Sequence, residues 1–158
     1  MKTMILYYSW SGTTAQAANL MQKVTDGDLV ELKVANGTFS DNINETSDLA
    51  KKQRELDDLP TLMNKIPDLK GYDLILIGGP VWSGLVSTPV RSLLEQISEF
   101  KGTVIPFYTS VGSDQNYEDD FKKFGGKLKI EKGLRMTSYS SEKEEASKLK
   151  NWFNSYKE

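Results

Sequence analysis

Four hydroxyl side chains, Ser9, Ser11, Thr13 and Thr14, surround one glycine, Gly12, directly after an apolar run. No lysine or arginine accompanies them in Ser9-Trp10-Ser11-Gly12-Thr13-Thr14. Hydroxyls and backbone N–H groups are neutral donors, and a helix N-terminus adds about half a positive charge. Such a turn suits a phosphate without any cation beside it. A plain Ser/Thr helix cap is the simpler alternative, but one hydroxyl is enough for a cap. The stretch lacks GxxxxGK[ST], so hydrolysis of ATP or GTP has no motif. It also lacks GxGxxG, so a dinucleotide site is unsupported. A monophosphate held by neutral donors is what remains.

Two later stretches offer related chemistry. Gly78-Gly79-Pro80-Val81-Trp82-Ser83-Gly84 follows the strongest apolar run and is expected to expose a tryptophan between proline and glycine. A large flat side chain there suits a flat aromatic ligand, by stacking or by edge contact. The other reading folds Trp82 back onto the core. Thr109-Ser110-Val111-Gly112-Ser113-Asp114 again sets hydroxyls and glycine after an apolar run. Its N–H groups suit the carbonyl and nitrogen edges of a heterocycle, with a simple turn as the alternative. Just beyond, Asp114, Glu118, Asp119 and Asp120 occur without a base. They read either as an acidic rim or as a helix start favoured by the dipole.

The elements that must position these loops are legible from periodicity. Residues 4–9, 72–80 and 103–110 are continuous apolar runs, as expected of strands covered on both faces of a parallel sheet. Weaker strands are predicted at 28–34 and somewhere within 127–138. Helical spacing links Ala17, Leu20, Met21 and Val24, and then Val86, Val90, Leu93, Leu94 and Ile97, with Pro89 in a first turn. Tyr117, Phe121 and Phe124 form a shorter stripe, and Ala146, Leu149, Trp152, Phe153 and Tyr156 a final one. Residues 36–60 are polar, with a thin pattern at Leu49, Gln53 and Leu56. The order is β-α-β-α-β-α-β-α-β over residues 1–158, one doubly wound α/β domain in three layers. Ligands of such sheets bind outside the carboxyl ends of the strands, where the three loops lie.

Composition narrows the chemistry. The 158 residues contain neither cysteine nor histidine, which excludes a thiolate nucleophile, a serine–histidine pair and histidine-ligated metals. Any redox chemistry must therefore use an organic cofactor. Twenty basic and 22 acidic residues give a net charge of −2, mixed along the chain, so neither nucleic acid nor an anionic membrane is an expected partner. No run approaches the roughly 18 apolar residues of a membrane span, and Met1–Ser9 reads as a buried strand instead of an export signal. A cytoplasmic protein is expected.

The three loops together resemble those of the flavodoxin family. Ser9-x-Ser11-Gly12-x-Thr14 is similar to its phosphate loop. "GGPVWSG" resembles the second flavin loop of its short members, and "TSVGS" resembles their third, with Val111 in place of a frequent glycine. The resemblance covers nearly the whole chain. It implies a five-stranded parallel sheet of order 2-1-3-4-5 and non-covalent flavin mononucleotide (FMN). By that resemblance the phosphate sits on Ser9, Ser11, Gly12, Thr13 and Thr14. The ring lies among Trp10, Pro80, Val81, Trp82, Ser83 and Gly84 on one side, and Thr109, Ser110, Gly112 and Asp114 on the other, with Tyr117 a further candidate. The long-chain insertion in the last strand has no room here. The receiver fold shares this strand order but needs clustered acids after its first strand, where Ser9-Trp10 stands, and an aspartate where Gly79-Pro80 stands.

The expected activity is electron transport, as a low-potential flavoprotein carrying electrons between a reductase and an acceptor protein, with no catalytic residue of its own. The low potential is expected because no cation lies in the three loops, while Asp114 and the phosphate add negative charge. Gly84 is expected to let a nearby peptide turn its carbonyl toward a protonated flavin nitrogen. The alternative is an FMN-dependent NAD(P)H oxidoreductase acting on quinones or flavins, and the mild net charge leans that way. A monomer or weak dimer is expected.

Overall fold

The continuous apolar runs are strands whose side chains alternate between two cores. The computed structural model describes residues 1–110, 114, 116–136 and 141–157. In chain order its elements are β1 (Thr3–Tyr7), α1 (Thr13–Thr25), β2 (Asp28–Glu31), α2 (Ile43–Glu55), β3 (Leu74–Trp82), β4 (Leu85–Val86), α3 (Thr88–Gln96), β5 (Thr103–Thr109), α4 (Tyr117–Gly125), β6 (Lys129–Ile130), β7 (Leu134–Met136) and α5 (Glu142–Lys157). Met4, Leu6, Ile75, Ile77 and Val104 point to one core, shared with Val90, Leu93 and Phe121 of α3 and α4. Ile5, Leu74, Leu76, Ile105 and Phe107 point to the other, shared with Ala18 and Met21 of α1 and Leu149 and Phe153 of α5. A period of two therefore survives inside runs that look uniformly apolar, because both faces of the sheet are covered.

The sheet runs β2-β1-β3-β5, with β6 and β7 both pairing β5 at the far edge, all in parallel. Taking β6 and β7 as one interrupted strand gives the expected order 2-1-3-4-5. The interruption has a local cause. Three residues, Glu131, Lys132 and Gly133, stand opposite two, Ile105 and Pro106, since Val104 pairs Ile130 and Phe107 pairs Leu134. Pro106 has no N–H for a ladder, and proline is tolerated in a sheet at such a bulge. At Gly133 a Cβ would come within 2.6 Å of the Pro106 carbonyl oxygen, so glycine is needed for the close approach.

One element was not expected. The third strand, expected over 72–80, runs on to Trp82 and returns as β4 in a two-residue hairpin. The glycines at 78 and 79 serve packing: a Cβ on Gly78 would strike the Phe107 ring at 2.2 Å, and one on Gly79 would meet Val90 at 2.8 Å. The polar stretch 36–60 holds α2, which starts at Asn42. The Asn42 side chain accepts from the N–H groups of Asn44 (2.9 Å) and Glu45 (3.1 Å). Its buried face is Thr46, Ala50 and Gln53, while Leu56, counted in the expected stripe, is exposed. Among the described residues no helix is long and apolar enough to cross a membrane.

Candidate functional site

The carboxyl ends of β1, β3 and β5 bring the three predicted loops to one edge of the sheet. In the first loop Gly12 is the N-cap of α1 with φ 96°, a left-handed conformation that a side chain resists. Nothing lies within 4 Å of a Cβ built there, so the requirement is conformational and not one of space. The Ser9 hydroxyl oxygen accepts from the N–H groups of Gly12 and Ala15, both at 3.1 Å, and so fixes the turn from inside. Ser11 and Thr13 stay toward solvent, their hydroxyls 3.4 Å apart. Thr14 turns inward, is buried, and its hydroxyl meets that of Thr109 at 2.8 Å. Among the described residues, no protein acceptor takes up the N–H groups of Ser11, Thr13 or Thr14. The outcome is a concave set of neutral donors at a helix start, which fits a dianionic phosphate.

The second loop is narrower than expected. Pro80 and Val81 belong to β3, and only Ser83 and Gly84 form the turn, at φ 55° and φ 76°. Two consecutive positive φ angles are the signature of the tight hairpin whose twist matches its strands. Ser83 and Gly84 thus close the finger between Trp82 and Leu85. The finger is anchored from below, where Val86 N–H donates to Asp120 Oδ2 at 3.0 Å. Burial pulls the guanidinium pKa of nearby Arg91 below its ordinary value, with Asp120 opposing that shift, while Arg91 lies 3.4 Å above the Phe124 ring.

Two aromatic expectations require correction. Trp82 is 1% exposed and does not stand at the ligand edge. It packs edge-on against Phe39 at 4.9 Å and Tyr8 at 5.9 Å between ring centroids. The residue half-open at this edge is Trp10, whose indole N–H donates to the Ser40 carbonyl at 2.9 Å. Tyr117 is wholly buried, stacked on Tyr108 at 4.4 Å, and supports the third loop from the core side. Burial raises the hydroxyl pKa of Tyr117, and burial with the Glu118 hydrogen bond raises that of Tyr108.

In the third loop Thr109 is buried against Thr14 and Ser110 is half-buried. Gly112, with Val111 and Ser113, lies outside the described residues. Asp114 is not a bare negative charge. Its Oδ2 lies 2.8 Å from Nε of Arg135, an ion pair with one partly exposed member. Glu118, Asp119 and Asp120 form the first turn of α4, the helix-start reading of the acidic stretch, with Asp119 exposed. Glu118 accepts from Tyr108 OH and from Gly133 N–H, each at 2.7 Å, and Asp120 holds β4. Phe39 and Arg135 escaped the sequence reading as contributors to this edge. Phe39 alone left a signal, as the one aromatic residue in the polar stretch 36–60. A polar hollow of about 390 Å³ separates the segment Glu31–Asp41 from Tyr8, Ser9 and Trp10.

A flavodoxin family model matches residues 2–156. A flavoprotein from Lactobacillus acidophilus, solved in complex with FMN, is 38% identical, with 94% of this chain and 97% of that one covered and a TM-score of 0.81. The apo form of the L. acidophilus flavoprotein, solved by NMR, covers 92% of this chain and 96% of its own at 38% identity, with a TM-score of 0.69. A Bacteroides uniformis protein is 30% identical over 97% of both chains, with a TM-score of 0.79. No curated protein matches the chain. The strand order, the donor-lined start of α1 and a family match over nearly every residue lead to one conclusion: this chain belongs to the flavodoxin family.

Proposed function

We propose that this chain binds FMN at the three loops and serves as a low-potential electron carrier between redox protein partners. The observation that carries the reading is the unspent donor set at the start of α1: three N–H groups and the outward hydroxyls of Ser11 and Thr13, around Gly12 at φ 96°. A phosphate monoester satisfies that set; a plain cap would leave it unused. The FMN complex of the L. acidophilus relative supports the same ligand. Bound flavin supplies one- and two-electron chemistry. The protein's part is to hold and screen it. Trp10, Pro80, Val81, Ser83 and Gly84 flank the ring on one side, with Thr109, Ser110 and Asp114 on the other. Arg135 offsets part of the charge of Asp114, so the low potential rests chiefly on the phosphate dianion and on loops without lysine or arginine.

A second reading, an NAD(P)H:acceptor oxidoreductase, draws on the polar hollow beside Trp10, which has room for a small molecule. One preparation tests both. Freshly purified protein is expected to be yellow and to release FMN by mass, and to consume NADPH with a quinone only when a separate reductase is added. Folded, colourless protein that refuses FMN at micromolar concentration overturns the ligand. Rapid NADPH consumption by the protein alone overturns the carrier.

A further inference from the structure

A hollow opens at the opposite edge of the sheet from the loops. It measures about 680 Å³ and lies between the connection Lys65–Tyr72 and the segment Gln96–Gly102 that follows α3. The length of β5, seven residues at about 3.3 Å each, separates it from the carboxyl edge by roughly 20 Å. It is therefore no extension of the flavin site.

Its walls are apolar and its rim is cationic. Ile66, Leu69 and Phe100 are half-buried, each packed against the core cluster while also lining the hollow, and Ile97 closes the floor. The Phe100 ring packs on Gly102, where a Cβ would meet it at 2.5 Å. Lys65, Lys70 and Lys101 are exposed around this apolar bowl. The rim also holds two acids: Asp68, which accepts from the Lys70 backbone N–H at 3.0 Å and keeps its charge, and Glu99, which pairs with Lys127 at 3.3 Å. Three lysines against these two acids leave the rim net positive. Among the described residues no ion pair is made by Lys65, Lys70 or Lys101.

An apolar cavity of this volume is in the range of small-molecule sites, where a few polar groups fix orientation. The excess of lysines over acids on the rim selects the charge of the head group, and the walls select a hydrocarbon body. We infer that the amino edge of the sheet binds a small amphiphile with one anionic head, of the medium-chain carboxylate class, with its chain against Leu69, Ile97 and Phe100 and its carboxylate among the lysines. No electron passes through this site, and the inference stands independently of FMN binding.

Titration of the protein as purified with decanoate, followed by 15N–1H spectra, tests it. Saturable shifts confined to residues 65–72 and 96–102 are expected at up to about 1 mM, the range set by a dozen ligand atoms. Decanol, which has the chain without the charge, is expected to bind roughly tenfold more weakly, and decyltrimethylammonium not at all. The double variant Lys70→Glu/Lys101→Glu, changed only at exposed positions, is expected to lose decanoate affinity by a similar factor. Decanol binding as tightly as decanoate, an unaffected double variant, or shifts spread over the whole chain would each overturn the proposal.

Discussion

Thr14 and Thr109 join hydroxyl to hydroxyl at 2.8 Å in the interior, so the first and third loops share a buried clasp. Removing one hydroxyl leaves its partner without this buried bond. Thr14→Val and Thr109→Val should each cost about 1–2 kcal/mol in urea unfolding, and the double variant clearly less than their sum. Additive losses would mean that the two side chains act separately.

The turn at Gly12 depends on backbone conformation alone. Gly12→Ala meets no atom but must take φ 96°, which costs about 1–2 kcal/mol. Since the N–H groups of the loop are aimed by that conformation, FMN affinity should fall roughly tenfold. Equilibrium titration of the apoprotein checks this, and unchanged affinity would show that the donors do not depend on the turn.

Charge around the third loop offers a redox test. Arg135→Gln uncovers Asp114, and added negative charge opposes reduction; the two-electron potential should drop by on the order of 20 mV. Asp114→Asn leaves Arg135 unopposed and should raise the potential by a similar amount. Potentiometry showing both variants moving the same way would refute the pairing.

Alkaline stability follows from the buried tyrosines. Burial pushes the Tyr8 hydroxyl up to about 12, above its ordinary 10.0, and Tyr108 and Tyr117 are raised too. A raised folded pKa means that the neutral phenol is favoured in the native state. The associated stability is complete below the unfolded value of 10.0 and is lost as pH climbs toward 12. Urea midpoints should therefore fall steeply above about pH 10, and less steeply in Tyr8→Phe. An equal slope in the variant would remove Tyr8 from the explanation.

What could be read from the sequence was local. The strand runs, the Gly12 turn with its hydroxyls and the amphipathic helices each lie within a few residues, where periodicity and turn chemistry act. The β4 finger was hidden because Ser83, not glycine or asparagine, takes the first positive φ of its turn. Trp82 was judged by its immediate neighbours, but its burial is decided by Phe39, more than forty positions earlier in the chain. The pairing of Asp114 with Arg135 and the break beside Pro106 likewise arise only when distant strands align. Tertiary contacts, not propensities, set the last three.

The broken last strand has a consequence for how the molecule behaves in company. An outer strand with a long, regular row of free backbone groups is a template on which another chain can add itself, the first step toward ordered aggregates. At this margin the row consists of two residues, a three-residue break and then three more, with Lys129 and Lys132 exposed along it. An incoming strand finds neither a continuous set of partners nor an uncharged approach. The kink at Pro106 and Gly133 thus works as a built-in guard of solubility.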